Sequence, residues 1–261
     1  MSETEEIENA KQVAAGVLGE KMAKFPLLFA KAAFFGQRPS KKQPRSDISN
    51  GTVSLVDLGD GPLAITCEHV IAGYIDMAKV HDNLVFQIGS VEINPLEQLI
   101  DKNAQLDLAT IRLTEEQIKS ITSEGEIGSC VFRPKAWPPE ALKKGQFVAF
   151  GGFPGCLRTV ASFDEHIFES WSSGASQISS VSEGKFLSAF EREFWVKSFG
   201  TESHMNIDTL GGLSGGPVFI HRGLYWDFVG IVSQYHENFD AMFFASTSGL
   251  RANGTITPPP V

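Results

Sequence analysis

Hydrophobic and polar positions change rhythm about a fifth of the way along the chain. Early on the spacing is helical. Ile7, Ala10, Val13, Ala14 and Val17 recur three or four residues apart, which predicts a helix over residues 4–24 stopped by Pro26. An apolar run from Lys24 to Gly36, broken by Lys31, comes next, and RPSKKQPR with its two prolines reads as a linker. From Gly51 the apolar segments shorten: TVSLVDL, PLAITC, LVFQIG, DLATIRL, QFVAFGGF, GPVFI and FVGIVSQ alternate with Gly, Pro, Asn and Asp. Strands at that spacing, with few helical stretches between them, predict an all-β sandwich or barrel. Gly59-Asp60-Gly61 marks a hairpin turn between two of them.

Composition narrows the classes of function. At 261 residues and 42% hydrophobic, the chain can bury one large core or two smaller ones. Its 31 acids against 22 Lys and Arg give a net charge of −9, which argues against a nucleic-acid partner. The charge is uneven: −4 over residues 1–10, +7 over 11–45, and −12 over the rest. No apolar run reaches the roughly 18 residues a membrane span needs. The start is acidic rather than basic and apolar, and Cys67, Cys130 and Cys156 are an odd, unpaired set. Together these predict an intracellular, cytoplasmic protein with reduced thiols. No C-x-x-C and no H-x-x-x-H spacing occurs, so neither a metal nor an organic cofactor is expected.

The sharpest local signal is Gly211-Gly212-Leu213-Ser214-Gly215-Gly216-Pro217. A serine among glycines presents its hydroxyl without steric cover and leaves backbone N–H groups free to converge on an oxyanion. Alone, the stretch is also a plain glycine-rich turn before a strand. It spells the nucleophile elbow G-x-S-x-G, but that motif needs a following helix and a later acid and histidine. Here Pro217 and a β-branched strand follow, so the elbow fails. A nucleophilic serine needs a base, and the base an orienting acid. Thr66-Cys67-Glu68-His69-Val70 reads as a strand ending in histidine, and Asp107-Leu108-Ala109 as an aspartate opening an apolar strand. Each is unremarked singly; the order His, Asp, Ser is what joins them. A rival dinucleotide fingerprint, Gly59-x-Gly61-x-x-Ala64, is spoiled by Pro62 and the β-branched Ile65-Thr66.

With these three motifs the chain resembles the chymotrypsin/trypsin-like serine proteases, nearer their intracellular bacterial, HtrA-like branch than the secreted digestive enzymes. Supporting stretches are Lys144 to Pro154, Gly230-Ile231-Val232-Ser233 and Asn253-Gly254-Thr255-Ile256. The resemblance spans about residues 48–256. It implies an all-β fold of two six-stranded antiparallel barrels, over 48–135 with His69 and Asp107 and over 136–261 with Ser214. It also implies a serine endopeptidase acting on proteins or peptides, with an oxyanion hole at the N–H groups of Gly212 and Ser214. Ser233 would sit beside Asp107, on the strand that pairs with substrate. Asp208 falls where trypsin-like enzymes select Arg or Lys, whereas Tyr235 replaces the glycine that admits long side chains. Leu213 replaces the aspartate that pairs with a newly cut N-terminus in secreted relatives. The alternative is a catalytically silent module of this fold that binds peptides or a protein partner. Residues 1–47 lie outside the resemblance. They are expected to form a helical extension that docks through Phe25, Leu27, Leu28, Phe29, Phe34 and Phe35, either on the domain or on a partner.

Overall fold

A computed structural model describes residues 17–38, 48–162, 165–189, 210–239 and 241–257. Its elements form two β-structures side by side. The first is a curled, seven-stranded sheet. In chain order its strands are β1 (Ala30–Gln37), β2 (Ser49–Asp57), β3 (Pro62–Thr66), β4 (Leu84–Ile88), β5 (Val91–Ile93), β6 (Leu99–Asn103) and β7 (Leu108–Arg112), arranged β5-β4-β1-β2-β3-β7-β6. The second is a closed barrel. After β8 (Phe147–Gly152) and the small hairpin β9 (Arg158–Val160) and β10 (His166–Phe168), it takes in β11 (Trp171–Ser182), β12 (Lys185–Ala189), β13 (Pro217–His221), β14 (Trp226–His236) and β15 (Ala241–Ser246). Its order is β11-β12-β15-β14-β13-β8. The Gly59-Asp60-Gly61 turn joins β2 to β3, with Asp57 opposite Pro62 and both glycines at positive φ.

Three expectations change. The first barrel has seven strands rather than six, and no closed barrel of the first half is found among the described residues. The segment assigned to a separate extension enters this sheet: β1 pairs with β2 through Ala30↔Ser54 to Phe35↔Ser49, and with β4 through Ala33↔Ile88 to Gln37↔Leu84. A boundary at residue 48 therefore cuts between two paired strands. The alternation that would have marked β1 is missing because the strand is buried along almost its whole length. Lys31, which seemed to interrupt the apolar run, is itself buried. Its ammonium donates to the carbonyls of Glu124 (2.9 Å) and Ile127 (3.1 Å), with the Glu124 carboxylate 3.7 Å away. Burial lowers the Lys31 pKa, and Glu124 opposes that shift.

The third change is at the histidine. The strand stops at Thr66, and a helix of eleven residues, Glu68–Ala78, carries His69 in its first turn. Val70, Ile71 and Tyr74 are its buried face, a helical spacing that lay hidden behind the preceding apolar strand. Helix also covers Val17–Lys24, within the stretch expected to be helical; residues 4–16 of that expectation lie outside the described residues.

The two β-structures meet around aromatic rings. Phe29 packs edge-on against Phe132 (5.2 Å between ring centres) and beside Phe219 (5.4 Å), and Phe25 stacks on Trp226 at 4.5 Å. Leu27, Phe29 and Phe35 are buried, so the apolar side chains of this segment join the core. No helix among the described residues is long and apolar enough to cross a membrane.

Candidate active site

His69 and Asp107 come from the first half. Helix Glu68–Ala78 presents the imidazole, and the turn before β7 presents the carboxylate, with Asp107 held at φ 56°. That left-handed conformation is unusual for a residue with a side chain and aims the carboxylate back at the helix start. Both Asp107 oxygens lie 3.0 Å from His69 Nδ1, and the His69 backbone N–H donates to Oδ1 at 3.2 Å. Facing a carboxylate, Nδ1 carries the proton, which leaves the Nε2 lone pair open.

The second half completes the pair. Ser233, on β14, donates its hydroxyl to Asp107 Oδ2 at 2.6 Å. Its carbonyl accepts the Ser214 hydroxyl at 3.1 Å. His69, Asp107, Ser214, Ser233 and Tyr235 line one cavity of about 410 Å³, together with Leu210, Gly211, Gln234 and Glu237. Gly212 lies in the same turn, and among the described residues neither its N–H nor that of Ser214 donates to a protein acceptor. Tyr235 also packs against the core of the second barrel. Asp208 lies outside the described residues.

Charge follows geometry. The hydrogen bond that His69 donates to Asp107 raises the His69 pKa above the ordinary 6.5; partial burial opposes it, and the charges of Asp107 and Glu68 add to it. Burial by itself would raise the Asp107 carboxyl, but hydrogen bonds from His69 and Ser233 outweigh it and hold the group below 3.8. Glu68, expected on an alternating strand, instead sits in the first helical turn and pairs with Lys102 at 2.6 Å.

Cys67, His69 and Asp107 bring three potential metal-ligand atoms within 4.8 Å of one another. They do not suit a metal. The Cys67 thiol is fully buried and donates to the Val232 carbonyl at 3.1 Å, and burial followed by the Asp107 charge pushes its pKa well up, away from the thiolate a metal needs. Nδ1 of His69 is already committed to Asp107.

The sequence profile of the trypsin-like peptidase domain matches residues 49–231. The chain belongs to this family. No curated protein matches it in sequence. Among solved structures it is similar to a thermostable serine protease, AL20, from an extremophilic microorganism, at 14% identity over 84% of this chain and 91% of that one, with a TM-score of 0.45. It is also similar to a catalytically inactive tobacco etch virus protease complexed with substrate, at 13% identity over 85% and 80% of the two chains, with a TM-score of 0.44.

Reading the sequence alone did not find the residues that surround the serine turn. Asn50, Thr52 and Ser54 on β2 reach it from the first half, and Phe153 and Gly155 reach it from the loop after β8. Their signal is a polar residue at every second position of a strand, a pattern ordinarily assigned to solvent.

Proposed function

We propose that this trypsin-like peptidase hydrolyses peptide bonds by acyl transfer through Ser214. The Ser214 oxygen attacks the scissile carbonyl carbon while His69 Nε2 takes the hydroxyl proton. The carbonyl π electrons move to oxygen, and the N–H groups of Gly212 and Ser214 receive that charge. On collapse the C–N bond breaks, and the imidazolium returns its proton to the leaving amine. Water then repeats the sequence and releases the acid, freeing Ser214. Asp107 fixes the imidazole orientation and stabilises its cation without itself being protonated.

The observation that carries this reading is the Asp107 carboxylate, which joins His69 Nδ1 at 3.0 Å to the Ser233 hydroxyl at 2.6 Å beside the cavity shared with Ser214. Tyr235 lines that cavity, and its ring, in place of a glycine, would favour small side chains at the cleavage site. A fluorophosphonate probe tests the chemistry, because only an activated serine displaces its leaving group. The full-length chain should label, and Ser214→Ala should neither label nor hydrolyse peptides while melting at the same temperature. An unlabelled wild-type chain that still binds peptides would make it a binding module instead.

A further inference from the structure

Leu213 cannot make the charge pairing that orders the serine turn in secreted relatives; it is fully buried in the core of the second barrel. Four of the turn's carbonyls are nevertheless tied down. Gly155 N–H donates to Gly211 O at 2.6 Å, Thr52 Oγ1 donates to Gly212 O at 2.8 Å, Thr52 N–H donates to Ser214 O at 2.8 Å, and Ser54 Oγ donates to Gly215 O at 2.8 Å. In a trans peptide the carbonyl and the following N–H point in opposite directions. Fixing Gly211 O on Gly155 therefore turns the Gly212 N–H away from Gly155.

Thr52 and Asn50 join these anchors into one unit. The Thr52 hydroxyl accepts from Phe153 N–H at 3.0 Å while donating to Gly212 O, and Asn50 Nδ2 donates to Phe153 O at 3.0 Å. Arg158 donates to Asn50 Oδ1 at 3.3 Å and to Ile48 O at 2.8 Å, which fixes the amide so that its NH₂ faces Phe153. Phe153 thus holds the loop that carries Gly155. Gly212, at φ 97°, fits only because it lacks a Cβ, which would strike the Asn50 amide and the Phe153 carbonyl.

We propose that Thr52 and Asn50 are positioning residues: from the first sheet they hold the Gly211–Ser214 turn in its oxyanion-binding form, so that the site is competent without cleavage of the chain. This rests on the acyl-transfer reading above. Removing the Thr52 hydroxyl leaves Gly212 O, in the Gly212–Leu213 peptide, and Phe153 N–H without their partner. The loop that brings Gly155 N–H to Gly211 O loosens, and the Gly211–Gly212 peptide, which carries the Gly212 N–H, can then rotate.

The test compares Thr52→Val and Thr52→Ser in the full chain. Thr52→Val should lower kcat on the order of 10²-fold with KM little changed, the size of losing one oxyanion donor. Its affinity for a peptide aldehyde, whose hemiacetal oxyanion occupies the same place, should fall by a similar factor, while a product-like peptide acid binds as before. Thr52→Ser, which keeps the hydroxyl, should restore both. Should Thr52→Val not fold, Asn50→Ala at a half-buried position decides, with losses in the same direction. Wild-type kcat and aldehyde affinity in a folded Thr52→Val, or equal defects in Val and Ser, would overturn the proposal. A wild-type chain inert to the fluorophosphonate would remove the acyl-transfer reading instead, and this proposal with it.

Discussion

The two halves of the molecule are built on opposite plans. The second closes its six strands on themselves, so none of them is left as an edge. The first ends in β5 on one side and β6 on the other, and its curl leaves side chains free to reach outward. Each half also secures a group belonging to the other. The barrel's Ser233 holds the Asp107 carboxylate of the first half, and Thr52 and Ser54 of the first half hold the barrel's serine turn. The contrast teaches that closure stabilises a barrel but does not shape the loops at its mouth. The site belongs to the seam, and neither half would be expected to form it alone.

The most severe way to break that arrangement is to remove β1. A chain beginning at Asp47 would lose the strand that lies between β2 and β4, together with Phe25 and Phe29 at the aromatic contact. Losing a buried Phe alone costs about 3–5 kcal/mol, comparable with the whole stability of many domains. The shortened chain should show no cooperative melting transition by circular dichroism and should not label with the fluorophosphonate. A shortened chain that melts and labels like the full one would mean that β1 is an appendage after all.

A more selective break falls on the acid. Asp107→Asn keeps the shape of the carboxylate and its contact with Ser233, but the amide can favour the wrong imidazole tautomer. Turnover should fall on the order of 10⁴-fold, near 5.5 kcal/mol in the barrier. KM and melting temperature should change little. Retention of most turnover in single-turnover kinetics would show that His69 is oriented by something other than Asp107.

What the sequence made legible divides along the same seam. The triad candidates were readable because each sits in a short motif with its own local grammar: Gly212 to Gly216 around the serine, and Asp107 directly before an apolar strand. The barrel strands were readable from short β-branched runs such as Phe147–Gly152 and Pro217–His221. Three features were hidden by burial. Strand β1 has no alternation because both of its faces are covered. Helix Glu68–Ala78 continues an apolar stretch without a break in hydrophobicity, and its N-cap residue Cys67 makes no side-chain cap. Thr52 and Ser54 alternate with apolar neighbours exactly as a solvent-facing row would, yet both are fully buried, because the carbonyls of the serine turn take the place of water. A polar stripe on a strand can face either solvent or another backbone, and only the partner half distinguishes the two.

The mildest perturbation concerns Glu68, on the side of His69 that faces the first half. Only neutral His69 can accept the serine proton, so kcat/KM should rise with pH through the His69 pKa of the free enzyme. The Asp107 hydrogen bond sets that limb above 6.5, and the Glu68 charge adds a smaller push in the same direction. Glu68→Gln removes that push, and it also leaves the Lys102 cation without the carboxylate 2.6 Å away. Both changes disfavour imidazolium, so the acid limb should move to lower pH. The linked stability runs with the same sign. A raised histidine pKa stabilises the fold fully below pH 6.5, and that contribution is lost as pH rises through the folded value; in Glu68→Gln the contribution should be smaller and its loss complete at lower pH. With the His69 side chain 54% exposed, the effect on melting should be slight and the kinetic limb the better readout. Raising salt from 0.15 M to 1 M shortens the screening length from about 8 Å to about 3 Å, and should shrink the difference between variant and wild type. A limb that stays in place at low salt would show that Glu68 is fully neutralised by Lys102 and contributes nothing to the tuning of His69, and one that moves to higher pH would show that its push has the opposite sign.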